Sequence, residues 1–327
     1  MTNFIIRRTL LLIPTLLLIS LISFAIITLP PGDYLTAYIQ QLSQTGVEVD
    51  QATIQNLRTQ YGLNQPWPVQ YYKWVEGFFH GDFGYSFQLE EPVLDIISRR
   101  IGFTVILSLA TLLFQWIFAI PIGIYSAVKQ YSPFDYFFTL FGFIGLSIPN
   151  FLLALILMFI GFNFFGVNVG GLLSAKYIGA SWSFSKIIDL LAHLWIPIVV
   201  VGTAGMAGLI RIVRGQMLDE LGKQYMRTAR SKGVPEWKAI LKYPTRLAIN
   251  PVISRAAVTI PKIVSRGTIA GIVLGLPILG PTLMTALRSQ DMYLGGTIIL
   301  MQSTLVVITV FLSDVLLAVV DPRIKYD

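Results

Sequence analysis

No cysteine occurs in the 327 residues, so neither a disulfide nor thiolate chemistry is available to this chain. Histidine is nearly as scarce: His80 and His193 stand alone, and no H-E-x-x-H pattern joins them. A hydrolase that needs a base beside a nucleophile, or a set of metal ligands, has little to build on, and no metal site or catalytic group is expected. A glycine-rich phosphate loop of the G-x-x-x-x-G-K-[ST] kind is also missing. Charge is thin as well, at 13% of residues, where a soluble domain carries about 25%.

Hydrophobic residues make up 54% of the chain, and they gather into runs too long for core helices. About 20 apolar helical residues cross a bilayer. Thr9 to Leu29, Phe103 to Val128, Tyr136 to Phe165, roughly Ile187 to Ile210 and Gly295 to Val320 each meet that length, and a weaker run lies between Asn250 and about Leu274. The reading is an all-α integral membrane protein with six transmembrane helices. Arg7 and Arg8 before the first run allow a cleavable signal peptide. The run is longer than an h-region and lacks a small-x-small site before Pro30-Pro31, which favours a retained anchor.

The net charge of +7 speaks to topology rather than to nucleic acid. Lys and Arg flank membrane helices on the cytoplasmic side. Arg7 and Arg8, Lys129, the stretch from Arg211 to Arg246 and the pair Arg323 and Lys325 fall on one side if six spans alternate. Both termini are then cytoplasmic. Pro30 to Arg100, with eight acids against four bases, lies outside. The expected organisation is a first helix over 1–29, an extracytoplasmic segment over 30–101 and a five-helix core over 102–327 with a cytoplasmic loop at 211–247.

Gln65-Pro66-Trp67-Pro68 stiffens the outer segment, and Gly81-Asp82-Phe83-Gly84-Tyr85 reads as a turn. Trp74, Phe78 and Phe79 fit interfacial anchors, with a small folded cap as the alternative.

The cytoplasmic stretch from Arg214 to Pro251 is the most informative. Gln216 to Ser231 predicts a helix weakened in its middle by Gly222. Gly233 stands where a helix C-terminal cap belongs, Pro235 at the first turn of a second short helix, and Pro244 stops that helix. The hairpin holds too many cations for lipid. Its apolar residues, Tyr225, Met226, Val234, Trp237, Ile240 and Leu241, need a protein cover or the membrane interface. A basic loop lying on anionic headgroups is the plainer alternative.

The run Tyr225-Met226-Arg227-Thr228-Ala229-Arg230-Ser231-Lys232-Gly233 resembles the coupling loop of binding-protein-dependent ABC import permeases, in the dipeptide/oligopeptide branch, B-type subunit. Further matching motifs follow in order along the chain. They are Gly62-Leu63-Asn64-Gln65-Pro66, Val69-Gln70-Tyr71, Gly81 to Ser86, Gly145-Leu146-Ser147-Ile148-Pro149, Asn250-Pro251-Val252 and Asp321-Pro322-Arg323-Ile324-Lys325-Tyr326. The resemblance implies a second permease subunit in a heterodimer, two ATP-binding subunits that bind ATP and Mg²⁺, and an extracytoplasmic substrate-binding protein. This chain would bind no cofactor itself. Its coupling residues would be Tyr225, Arg227, Thr228, Ala229, Arg230, Lys232, Gly233 and Trp237, inserted into a groove of one ATPase. Peptides are the default cargo of that branch, with oligosaccharides and metal chelates as alternatives. Family members often carry an acid with aromatics after span five, whereas this chain has Ile272-Val273-Leu274-Gly275-Leu276-Pro277-Ile278-Leu279-Gly280-Pro281. An ion-coupled carrier is the rival class; Asp314 is its one candidate acid deep in a span.

Span five is unusually basic. Arg255, Lys262 and Arg266 are spaced by seven and four residues, and Thr259 continues their row. At 100° per residue the three lie within roughly 20° of one helical meridian. Such a stripe does not face lipid. It either lines the translocation path and meets polar or anionic groups of the cargo, or Arg255 snorkels to the surface while the others pair with the second permease subunit.

Overall fold

The structure is a computed structural model that describes residues 2–28, 55, 59, 64–166 and 170–320. Gly62 and Leu63 of the first matching motif, most of the 30–63 segment and the ending at 321–326 lie outside the described residues. Among the described residues the helices are α1 (Thr2–Thr28), α2 (Trp67–Phe79), α3 (Val93–Val128), α4 (Pro133–Ser147), α5 (Asn150–Phe165), α6 (Phe184–Leu221), α7 (Gln224–Ser231), α8 (Glu236–Lys242), α9 (Pro244–Val273), α10 (Leu279–Arg288) and α11 (Met292–Val320). Strands β1 (Tyr85–Ser86) and β2 (Glu91–Pro92) form one antiparallel pair.

Four helices (α1, α3, α6 and α11) are long and apolar enough to cross a bilayer. Two bent pairs raise the number to six where each pair counts as one span. The first pair covers the expected run Tyr136 to Phe165 but is not one continuous helix, because α4 and α5 meet at 106°. Pro149 has no amide to donate, and its ring disfavours helical geometry at the residue before it. Ile148 accordingly sits at φ −81°, ψ 122°, and the helix restarts with the Leu153 amide on the Pro149 carbonyl at 3.0 Å. In the second pair, Glu236–Ala256 and Val258–Val273 meet at 52°. Pro261 explains the position: it removes the hydrogen bond to the carbonyl four residues back, at Ala257, and its ring crowds that oxygen.

The chain divides into two compact units by contact. One comprises 1–103 with 278–307, the other 104–277 with 308–327. In the first, Trp74 is buried rather than an interfacial anchor. It packs on Phe24 and Met292, and Phe24 also meets the rings of Trp67 and Tyr71. Phe78 stacks edge-on against Trp74, and only Phe79 is exposed as an anchor would be. Asp291, fully buried before α11, accepts Ser86 Oγ at 2.6 Å and the amides of Gln88 and Leu294 at 3.2 and 3.1 Å, which pins the β1–β2 hairpin.

In the second unit α6 is the central element, packed by α4, α5 and α9. Its 38 residues run for about 57 Å at 1.5 Å per residue, well beyond the ~30 Å of a hydrocarbon core. Glycines let α3 come close to it. A Cβ at Gly123 would stand 2.7 Å from the Val213 Cβ, and one at Gly205 would meet the amide of Gln115, which itself donates to the Gly202 carbonyl at 3.2 Å. The first contact is between rigid atoms. Gly123→Leu is therefore expected to force the two helices apart and to destabilise the protein by about 1–3 kcal/mol. Thermal unfolding in detergent reads this, and an unshifted melting curve contradicts the packing.

Candidate functional site

The segment between α6 and α9 is a helical hairpin. It departs from the sequence expectation at its start: no single helix covers Gln216 to Ser231. α6 continues to Leu221, Gly222 caps it, and α7 begins afresh at Gln224. The turn is as expected. Gly233 has φ +72°, the Gly233 amide donates to the Arg230 carbonyl at 2.9 Å, and the Val234 amide donates to the Ala229 carbonyl at 3.1 Å. This 5→2 and 6→1 pair is a Schellman motif, in which a left-handed residue lets the chain reverse while satisfying the last carbonyls. Pro235 precedes α8, and Pro244 not only ends it but opens α9.

One face of the hairpin is a packed core. Met226, Ala229, Ala239 and Ile240 are buried with Val213 and Met217 of α6 and with Ala248 and Val252 of α9. Helices of eight and seven residues are too short to persist alone, so this burial holds their shape. Ala229 acts inside that core, not on the outer surface. Tyr225 is half-buried and donates to Glu220 at 2.6 Å. Burial, and then the neighbouring Glu220, push its phenol well up, so it remains a neutral donor. Arg230 clasps Glu236 with two hydrogen bonds, Nη2 to Oε1 at 2.6 Å and Nε to Oε2 at 3.1 Å. These bonds hold the Glu236 carboxyl below its usual range and push the guanidinium up. A depressed carboxylate contributes its stability above the unfolded value and loses it as pH falls through the folded one. The clasp therefore persists through the ordinary glutamate range and opens only below it.

The opposite face is open. Arg227, Thr228, Lys232 and Gly233 are exposed, as are Trp237 at 62% and Leu241 at 57%, one helical turn apart on α8. Reading the sequence alone did not pick out Glu220, Glu236 or the outward placement of Leu241. Leu241 was legible as the i+4 neighbour of Trp237, whereas the two acids acquire partners only once the turn brings the chain back.

A buried ion pair lies at the same end of α6. Asp135, in the first turn of α4, takes Arg214 Nη2 at 3.1 Å and the Tyr131 amide at 3.0 Å. The Ser132-Pro133-Phe134-Asp135 sequence, in which Ser132 caps the Asp135 amide, was its sequence signal.

The cationic row of α9 is divided by the bend. Arg255 lies on the hairpin side of it, and Lys262 and Arg266 lie beyond. The shared meridian assumed a straight helix, so it survives for Lys262 and Arg266, about 40° apart, but not across Ala257. Arg255 and Lys262 are exposed, Thr259 and Arg266 half-buried, and Thr259 bonds back to the Arg255 carbonyl at 2.8 Å. Among the described residues none of the three cations pairs with an acid. The two histidines are turned to backbone: His80 Nδ1 to Glu76 O at 3.1 Å and His193 Nδ1 to Asp189 O at 2.7 Å.

Residues 119–326 match the family described as binding-protein-dependent transport system inner membrane component, and residues 1–110 match the N-terminal region of the same membrane components. The chain belongs to this family. It is 36% identical over 327 residues to the oligopeptide transport system permease protein AppB of Bacillus subtilis, covering all of both chains. It is 29% identical over 342 residues to the dipeptide transport system permease protein DppB of Escherichia coli, covering 100% of this chain and 99% of that one. The permease is a multi-pass membrane protein, and its hairpin and α9 both lie within the first match.

In this permease the Asp135–Arg214 pair has unequal partners: the Asp135 side chain is 5% exposed and that of Arg214 32%. Removing the cation strands a buried carboxylate, whereas neutralising the acid leaves a cation that reaches water. Arg214→Met is expected to cost about 3 kcal/mol, more than Asp135→Asn, and the double variant less than the sum of the two. A double-mutant cycle from thermal melting checks this; equal, additive losses remove the case for a buried pair.

Proposed function

We propose that the chain is the membrane-spanning permease subunit of an ATP-driven importer of peptides, forming half of the translocation path beside a second, related subunit. Two ATP-binding subunits bind ATP and Mg²⁺ and carry out hydrolysis, and an extracytoplasmic binding protein delivers the cargo. Six spans with both termini cytoplasmic are consistent with the placement of Lys and Arg. α6 ends in the basic 211–246 stretch, so its start lies outside, and the bent α4–α5 pair then crosses once, from the Lys129 side outward. Relatives named as oligopeptide and dipeptide permeases favour peptides as cargo.

The exposed, internally braced hairpin carries this reading. α6 enters it and α9 leaves it, with one apolar cluster shared by all three segments. A partner that grips the outer face at Trp237 and Leu241 moves a rigid unit, and the two membrane helices follow. Tyr225, Arg227, Thr228, Ala229, Arg230, Lys232, Gly233 and Trp237 thus divide into those that shape the hairpin and those that present its surface. Ala229, Arg230, Gly233 and Tyr225 hold the fold; Arg227, Thr228, Lys232 and Trp237 face the partner.

Gly233→Val places a β-branched residue in a left-handed conformation. Uptake and transport-stimulated ATP hydrolysis are expected to fall together, with membrane insertion and subunit assembly intact. Wild-type uptake with normal coupled hydrolysis in reconstituted complexes would sink the coupling role.

Arg255, Thr259, Lys262 and Arg266 supply the polar side of the path in this reading, meeting carboxylates and carbonyls of the cargo. A cation at a helix centre costs about 2.5–3.5 kcal/mol on insertion scales, so water or cargo must replace the missing acids. Lys262→Gln and Arg266→Gln, tested singly, should reduce uptake or change cargo preference while the complex assembles normally. Loss of assembly with unchanged preference in the residual transport would assign both cations to the subunit interface.

A further inference from the structure

From Gly170 to Ser183, between α5 and α6, the chain holds a 3₁₀ turn at Ala175–Tyr177 and is otherwise irregular. Irregular backbone beside a bilayer needs partners for its amides and carbonyls, and the first turns of α6 supply them. Lys186 and Asp189 are three residues apart on one helical face, yet they form no ion pair with each other. Both reach the irregular segment instead. The Asp189 carboxylate accepts the Ser174 amide at 2.7 Å and the Ser174 hydroxyl at 2.5 Å, and His193 stands 3.7 Å from it on the next turn. Lys186, 6% exposed, donates from Nζ to the Ala180 carbonyl at 2.5 Å and lies 4.9 Å from the centre of the Trp182 ring. A buried ammonium without a carboxylate is costly; here a carbonyl and an aromatic face take its place.

The same segment is fastened to a second helix. Gly171, at φ +84°, holds a left-handed conformation that glycine allows and donates its amide to the Leu274 carbonyl at 2.8 Å. Leu274 caps α9, and it and Leu172 are each 1% exposed. The chain from Gly171 to Ser174 is a tether of about 10 Å at full extension. α6 and α9 are therefore held together twice, by the hairpin core at one end and by this strap at the other. The bend at Ala257 lies between the two. The strap thus fixes the far end of that half of α9 which carries Lys262 and Arg266.

We propose that Asp189 and Lys186 are positioning residues for transport: through the strap from Gly171 to Ala180 they set where the cationic half of α9 stands against α6. The two charges suit opposite backbone groups, the carboxylate an amide and the ammonium a carbonyl. Gripped at two points, the strap does not swivel about either. The transport role rests on the reading of α9 as the polar side of the path; the grip itself does not.

The test compares label separation and uptake in the assembled transporter, with the other subunits made free of cysteine. Leu191→Cys on α6 and Ile269→Cys on α9 are exposed positions in a chain with no cysteine of its own. A nitroxide on each reports their distance by pulsed electron resonance, and with the strap unaltered one narrow distance is expected. Asp189→Leu, which removes both bonds to Ser174, and Lys186→Met should each broaden it. Asp189→Asn should keep it narrow, because its side chain can accept from the Ser174 amide and donate to the hydroxyl. A contribution to general stability, or of charge alone, gives no such rescue. Hydrogen exchange at Gly171 should quicken about tenfold in Ser174→Ala, as loss of one hydrogen bond to a charged group implies; this reads the grip even where Asp189→Leu fails to assemble. Uptake in Asp189→Leu should show the defect of Lys262→Gln, and combining the two should add nothing further. Narrow, unshifted distances in both Asp189→Leu and Lys186→Met overturn the proposal, and so does equal broadening in Asp189→Asn. Broadened distances with unchanged uptake uphold the grip and remove the path reading on which its transport role rests.

Discussion

A backbone amide in hydrocarbon has no water to turn to, so every departure from helix in this chain must be compensated locally or placed away from lipid. That constraint organises the structure. α3 and α6 run as continuous helices of 36 and 38 residues, each lacking the one ladder bond that its inner proline, Pro121 or Pro197, cannot donate. Where the chain reverses, the glycines at 233 and 275 close Schellman-type turns; at the second, Gly275 donates to Ile272 O and Leu276 to Gly271 O. The break at Ile148-Pro149 has no such closure. α5 begins without a side-chain cap, and its first amides have no intrahelical acceptors. Those donors demand polar partners, so the α4–α5 elbow belongs against protein or water rather than lipid tails.

The same accounting explains why the hairpin behaves as one piece. Its two short helices bury a shared apolar face, its turn satisfies the Thr228, Ala229 and Arg230 carbonyls, and its Arg230–Glu236 clasp crosses the turn on the exposed side. The clasp adds little stability, as exposed ion pairs do. Its use is geometric, because two hydrogen bonds from a planar guanidinium fix the angle between α7 and α8. The Asp135–Arg214 pair braces the same end of α6 from the other side. It ties α6, a few turns before the hairpin, to the first turn of α4.

Much of this was legible in the sequence where the governing interaction is local. The Gly233 turn, the Pro235 start and the Ser132 cap each follow from residues within one turn of one another. The apolar runs marked the spans because hydrocarbon length is a fixed yardstick. Hydropathy, however, is blind to the position of a proline, so Tyr136 to Phe165 reads as one rod although Pro149 folds it to 106°. Trp74 was misread for a related reason. An aromatic beside a membrane segment looks like an interfacial anchor until Met292, far along the chain, is seen to cover it. The partners of Arg214 and Arg230 were invisible because pairing needed a helix crossing in one case and a completed turn in the other.

The bend in α9 connects these parts. Pro261 frees the Ala257 carbonyl, and the helix yields there, between Arg255 and the other two cations. The half below belongs to the hairpin's packed core through Ala248 and Val252, so in the proposed coupling role it would move with the hairpin. The half above carries Lys262 and Arg266, which pair with no acid among the described residues. A stiff helix would rotate all three cations together; a helix hinged at Ala257 can shift the upper pair against Arg255 without breaking any packed contact of the lower half. In the proposed importer, water would accompany that charge in one position and a polar cargo would replace the water in the other. The proline that interrupts the ladder and the cations with no acid among the described residues are thus two aspects of one arrangement; on the proposed importer reading, α9 would convert displacement of the hairpin into a change in where positive charge is presented.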